Sequence, residues 1–102
     1  KSPLNSAAMQ VRFSSFAEAD LDDIHAYIAR RDATAAARLI DDLLRSAFRL
    51  ASFPHLGRKG RIENTREFSV PGTSYFLVYT LSEDSIDIER VLHSRRQYPL
   101  ID

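Results

Sequence analysis

The chain has no cysteine, which excludes disulfides and thiolate metal sites and agrees with a reducing compartment. It is also nearly free of lysine, with twelve arginines against two lysines. No apolar run approaches the roughly 20 residues that a membrane-spanning helix needs, and no charged start followed by an apolar stretch marks a signal peptide. A cytoplasmic protein that avoids the membrane is expected. Net charge is missing too, fourteen basic residues balancing fourteen acidic ones. A protein that lives on nucleic acid usually shows a net basic footprint, so neutrality weighs against that class. There is no glycine-rich phosphate loop, and no cofactor is expected. His25, His55 and His93 are 30 and 38 residues apart, with no helical His pair, so no metal site is expected.

What is present suits one compact globular domain: 102 residues, 44% hydrophobic and 27% charged. Folding should bury about two-thirds of the unfolded surface, enough for one modest core. Residues 1–8 are patternless and read as an added or disordered lead-in. Met9, directly before a strand-like segment, reads as the natural start, giving a single domain over residues 9–102. The preference for arginine has two readings. Its planar fork suits carboxylates, phosphates and stacked interfaces, and an arginine-rich genome would produce the same bias.

Gln10–Phe13 is expected as a short strand. Ser15 and Glu18 match a capping box for a helix from Phe16 to Arg30, whose apolar stripe is Ala17, Leu21, Ile24 and Ile28. Asp20, Asp22 and Asp23 read as a solvated acidic face near the positive end of the helix dipole. Asp32 caps a second helix over Ala33–Ser52, with an inner stripe of Ala36, Ile40, Leu43, Ala47 and Leu50. Arg38 with Asp42 and Asp41 with Arg45 are expected as surface pairs on its outer side. Residues 53–64 read as a basic loop carrying Arg58, Lys59 and Arg61.

Past that loop the period becomes extended: strands over Thr65–Val70, Thr73–Leu81 and Ser85–His93, with Pro71-Gly72 and Glu83-Asp84 as turns. Tyr75 to Tyr79 is apolar on both faces, so that strand should be central. The order is an α+β arrangement, βααβββ, with a helix hairpin packed on a small, mainly antiparallel sheet. Its other face must be shielded by the end of the chain or by a partner.

Four strings occur in order: Pro54-His55-Leu56-Gly57-Arg58, Thr65-Arg66-Glu67-Phe68, Tyr75-Phe76-Leu77-Val78-Tyr79, and Arg90-Val91-Leu92-His93-Ser94-Arg95-Arg96. Together with Ala19 to Ile24 and Tyr27-Ile28-Ala29 on the first helix, they resemble the RelE/ParE toxin superfamily of type II toxin–antitoxin systems. The likeness spans about Met9 to Leu100, and its C-terminal string is more similar to the ParE branch. The resemblance implies a βααβββ fold, an antitoxin partner, and one of two targets. Toxins similar to ParE act on DNA gyrase; those similar to RelE cut messenger RNA on the ribosome.

RNA cleavage would need a base, an acid and cations for the phosphate charge, and the available groups are Arg66, His93, Arg95 and Tyr98. Arg66 is in phase with Phe68 and Val70, and Arg90 with Ile86 and Ile88. Each therefore either forms a cationic groove or lies along the core and pairs with an acid such as Glu67 or Glu89. His93 reads as a structural hydrogen-bonding group or a catalyst, and Tyr98 as an anchor for the tail or a proton donor. The scarcity of lysine and the neutral charge favour a protein target over RNA. The expected reading is thus a ParE-like toxin without catalysis. It would contact gyrase through Arg90, His93, Arg95 and Arg96, and its antitoxin through Tyr27, Arg38 and Arg45. A ribosome-dependent endoribonuclease, or an inactive member that only binds antitoxin, is the alternative.

Overall fold

The computed structural model describes residues 9–99. The expectation of an unstructured lead-in over residues 1–8 lies outside the described residues. The elements are β1 (Gln10–Phe13), α1 (Ser15–Ala29), α2 (Ala33–Ser52), β2 (Arg58–Lys59), β3 (Arg66–Ser69), β4 (Tyr75–Leu81) and β5 (Ser85–His93). The sheet order is β1-β5-β4-β3-β2; β1 runs parallel to β5 and every other pair is antiparallel. This is the expected α+β arrangement with one additional strand. Among the described residues, no helix is long and apolar enough to cross a membrane.

Helix α2 starts where its cap requires: the Ala35 N–H donates to Asp32 Oδ1 at 3.0 Å. Helix α1 is capped one residue earlier than the capping box predicts, because the Ala17 N–H donates to Ser14 Oγ and not to Ser15. Ser14 wins by its tertiary role. Its N–H donates to the Ile88 carbonyl at 2.9 Å and its hydroxyl to the Glu89 carbonyl at 2.8 Å, so the cap is also the joint between α1 and β5. Of the two expected surface pairs on α2, Asp41–Arg45 forms at 2.7 Å and Arg38 makes no ion pair with Asp42.

The hairpin of helices covers one face of the sheet. Ala17, Leu43, Ala47 and Leu50 meet Leu77, Tyr79, Ile86, Ile88 and Val91 in a single buried cluster. The alanines let the helix backbones lie close to the strands, and truncating a leucine such as Leu77 in such a core typically costs about 2–5 kcal/mol. β4 is central and buried along Phe76–Tyr79, as its two-sided apolar run predicts. Its even-numbered residues Phe76 and Val78 face the opposite side, where with Leu92 they form a smaller cluster covered by Tyr98. The end of the chain therefore shields the second face.

The basic loop expected over residues 53–64 contains a strand. β2 pairs Arg58 with Glu67 and Lys59 with Arg66, a two-residue ladder too short to leave a period in sequence. It is held by Glu67, whose side chain is 1% exposed and accepts from Arg58 Nη2 at 3.1 Å, from Arg61 Nε and Nη2 at 3.1 and 2.9 Å, and from the Arg61 N–H at 2.9 Å. Tyr79 fixes the loop ahead of β2, its hydroxyl donating to the Pro54 carbonyl at 2.8 Å and accepting from the Gly57 N–H at 2.9 Å. Only glycine fits at position 57, where a Cβ would lie 2.7 Å from that hydroxyl oxygen. At the β3–β4 hairpin, Pro71 and Gly72, the latter at φ +78°, make the turn with the geometry of type II.

Burial pushes the Glu67 carboxyl up, but the Arg61 N–H and the Arg58 and Arg61 guanidiniums outweigh it and hold the group below its ordinary value. A depressed carboxylate contributes stability above its unfolded value, and that stability is lost as pH falls through the folded value. Glu67→Gln should lower the unfolding free energy at pH 7 by about 1.5–3 kcal/mol, the range for hydrogen bonds to a charged group. In urea unfolding series, the gap between parent and variant should narrow as pH falls below the ordinary carboxyl value of 4.5. A gap that stays constant down to about pH 3 would rule out ionised Glu67 as the organising group.

Candidate protein-binding groove

Where β1 ends at Phe13, opposite Ile88, the outer half of β5 loses its strand neighbour. Helix α1 takes over that edge. Asp20 Oδ2 accepts from the Val91 N–H at 2.9 Å and from Arg90 Nε at 2.8 Å, and Oδ1 accepts from Arg90 Nη2 at 2.9 Å. Asp20 is buried, which corrects the expectation that it belongs to a solvated face with Asp22 and Asp23, both exposed. The sequence held the signal: Asp20 lies three residues after Ala17 and four before Ile24, on the inward side of the helix.

The pairing also corrects the expected partners of Arg90, which meets neither Glu67 nor Glu89. A bulge shifts the register, so that Val78 faces Arg90 while Tyr79 faces Ile88, leaving Glu89 as the extra residue. Beyond it Val91, and not Arg90, joins Ile86 and Ile88 in the helix-side core. The Asp20 carboxylate raises the Arg90 guanidinium's already high pKa against the opposing effect of burial.

This joint carries the end of β5 to His93, where two adjoining cavities open between the helices and the sheet. One, of about 200 Å³, is lined by Asp23, Ile24, Tyr27, Tyr75, His93 and Arg96 among others. The second, of about 510 Å³, runs along Ile28, Arg38, Leu39 and the Gly72–Ser74 turn, and again touches Tyr27, Tyr75 and His93. These three shared side chains form the ridge of one groove. Tyr75 and His93 are cross-strand partners with rings edge-to-face at 5.1 Å, and Tyr27 is 69% exposed above them. Burial, with Tyr27 nearby, pushes the Tyr75 hydroxyl's pKa up, so it stays a neutral hydrogen-bonding group.

His93 is oriented by the turn that follows. Its Nδ1 accepts from the Arg95 N–H at 3.0 Å and its carbonyl accepts from the Arg96 N–H at 2.9 Å. With Nδ1 engaged by that N–H, Nε2 is the ring nitrogen left to meet a partner. Arg95 and Arg96 are exposed beside it.

The groove thus collects Tyr27, Arg38, His93 and Arg96, residues the sequence assigns to two separate surfaces. Arg45 lies outside it, paired with Asp41, in a shallow hollow with Arg49 and Pro71. Arg66 is half-buried and meets no acid among the described residues; its Nη2 donates to the carbonyls of His55 at 3.1 Å and Gly57 at 2.6 Å, fixing the same loop as Tyr79. Tyr98 is on the opposite face of the sheet from His93, packed on Phe76, where burial pushes its hydroxyl pKa up and Glu67 adds to the effect. Tyr75 was invisible as a site residue because it reads as one more apolar strand position. Among the described residues there is no cluster of three His, Cys, Asp or Glu side chains that could hold a metal.

Asp20→Ala leaves a half-buried guanidinium and a buried N–H without partners, and should cost about 2–4 kcal/mol in urea unfolding. Asp20→Ala with Arg90→Ala should cost about 1–3 kcal/mol less than the sum of the two single changes. Strict additivity would mean that the pair does not fasten α1 to β5.

The family model for the ParE toxin of type II toxin–antitoxin systems matches residues 11–98. A curated protein named "Putative toxin Y4kP" from Sinorhizobium fredii is 36% identical over 92 residues, covering 90% of this chain and 95% of that protein. Among solved structures, a chromosomal ParDE toxin–antitoxin system from P. aeruginosa superposes with a TM-score of 0.76 at 20% identity, over 86% of this chain and 98% of that one. The toxin–antitoxin complex RelBE2 from Mycobacterium tuberculosis superposes with a TM-score of 0.66 at 26% identity, over 84% and 98%.

Proposed function

The chain belongs to the ParE toxin family of type II toxin–antitoxin systems, within the RelE/ParE superfamily, and on that premise we propose that it arrests growth by binding DNA gyrase and is silenced by a cognate antitoxin. The observation that carries the target choice is the dispersal of the groups a ribonuclease would use. Of Arg66, His93, Arg95 and Tyr98, only Arg95 lies beside His93; Tyr98 is on the opposite face of the sheet, and Arg66 is engaged by loop carbonyls. General acid–base catalysis needs both groups within hydrogen-bond reach of one substrate. Neutral charge supports the same reading, since affinity for RNA is built chiefly on phosphate neutralisation. His93, Arg95 and Arg96 are the proposed gyrase contacts, with Arg90 holding the strand end beneath them. No cofactor enters this action.

The antitoxin is proposed to lie across the helix hairpin, along the groove at Tyr27 and Arg38 and past Arg45. The solved relatives, a toxin–antitoxin system and a toxin–antitoxin complex, support a partner of this kind. Exposed Phe16, Tyr27 and Phe48 on the helices supply apolar anchors that a partner would cover.

Induction of the chain in cells without antitoxin should produce gyrase-linked DNA breaks before any transcript is cut. Arg95→Ala with Arg96→Ala should reduce inhibition of gyrase supercoiling at least about ten-fold while the protein stays folded. Early ribosomal cleavage of transcripts that His93→Ala or Arg66→Ala abolishes would overturn the gyrase reading. For the antitoxin surface, Tyr27→Ala with Arg38→Ala should weaken binding by about 2 kcal/mol in calorimetry, the scale of an interface hot spot. An unchanged affinity would move the interface elsewhere.

A further inference from the structure

After His93 the chain crosses from the helix side of the sheet to the opposite side, and it is anchored at both ends of the crossing. At the first anchor the Ser94 N–H donates to the Ser74 carbonyl at 2.7 Å, with the Arg95 and Arg96 N–H groups tied back to His93. At the second, Tyr98 packs on Phe76, Val78 and Leu92. Arg95, Arg96 and Gln97 lie between the anchors and are exposed.

The second anchor is closed by Arg61. Its guanidinium carbon lies 5.1 Å from the centre of the Phe76 ring and 5.5 Å from that of Tyr98, and its Nη1 donates to the Tyr98 carbonyl at 3.1 Å. Glu67 sets this orientation by accepting from the Arg61 N–H, Nε and Nη2, which leaves Nη1 to meet the arm. A guanidinium held by a buried carboxylate and placed against two rings loses little freedom on making each contact.

We propose that Glu67 and Arg61 form a clamp that positions the C-terminal arm, so that Arg95 and Arg96 are presented in one arrangement to the target protein. The clamp rests on the reading that those two arginines contact the target. Arg61 touches the arm and Glu67 acts on it through Arg61, so both are positioning residues. A free arm would have to be ordered at the moment of docking, and that ordering weakens binding.

The test compares Arg61→Ala, Tyr98→Ala, Tyr98→Phe and the Arg95→Ala/Arg96→Ala double variant in the full chain. Three quantities are measured: amide exchange over residues 95–98, the thermal unfolding midpoint, and the inducer level needed for growth arrest without antitoxin. Arg61→Ala and Tyr98→Ala should raise exchange in the arm and the inducer requirement at least about ten-fold each, while β4 and β5 stay protected. Tyr98→Phe keeps the ring and the backbone carbonyl, and should match the parent in both. Arm exchange that is unchanged in Arg61→Ala and Tyr98→Ala would overturn the clamp, as would a freed arm with undiminished arrest. If Arg61→Ala and Tyr98→Ala free the arm and weaken arrest while Arg95→Ala/Arg96→Ala arrests growth like the parent, the arginine-contact reading fails, and the clamp stands as the device that presents the rest of the arm.

Discussion

Strand β5 has a β neighbour on its outer edge only as far as Ile88, and the remainder of the molecule is organised around how the exposed half of that edge is satisfied. An unpaired strand edge is both a lost set of hydrogen bonds and a template for association. Here helix α1 closes it. Ser14 donates to the carbonyls of Ile88 and Glu89, and one turn and a half further on Asp20 accepts the Val91 N–H and the Arg90 fork. These few atoms fix the helix against the strand, set the tilt of the hairpin over the core, and hold His93 at the mouth of the groove. The bulge at Glu89 belongs to the same solution, because it frees Arg90 from the core phase and turns its guanidinium toward Asp20.

The sheet's two faces are stabilised by different means. The helix side buries a continuous apolar cluster, with the Asp20–Arg90 pair at its edge. Among the described residues the opposite side buries the small cluster of Phe76, Val78 and Leu92, and it is completed by a carboxylate, two arginines and a tyrosine. A buried acid is costly unless its lone pairs are met, and Glu67 meets them with donors from three groups on β2 and the loop after it. Those same donors are why a two-residue strand persists at the edge of the sheet. β2 exists for the sake of Glu67 more than for its own ladder.

Much of this architecture was legible in the sequence where one residue type had one local job. Asp32 marks the start of α2, the alternation of Ile86 and Ile88 marks β5, and both elements have the bounds those signals predict. Legibility failed where a residue serves two elements at once. Ser14 replaces Ser15 as the cap because its N–H is claimed by β5, a demand no local pattern carries. Asp20 looks like one acid in an acidic run; its phase with Ala17 and Ile24 marks it as inward, and the Val91 N–H without a strand neighbour gives that burial its reason. Arg66 and Arg90 each read as lining a cationic groove or pairing with an acid of the sheet; one meets backbone carbonyls and the other an acid from a helix. At the groove, Tyr27, Arg38, His93 and Arg96 were each visible as candidates, but their meeting point depends on register and could not be read.

That meeting point bears on how a partner would silence the protein. The proposed antitoxin surface and the start of the proposed target-binding arm share the ridge of Tyr27, Tyr75 and His93. Two partners whose footprints overlap exclude each other by occupancy, and no second conformation of the toxin is required. Coupling through a distant change of shape would instead demand a two-state element between the sites, and the pinned α1–β5 joint is a poor candidate for one. Its hydrogen bonds are short, mutually satisfied and backed by the core. If the proposed footprints overlap on this rigid scaffold, inhibition depends on the concentrations and affinities of both partners, since exclusion needs nothing beyond mass action.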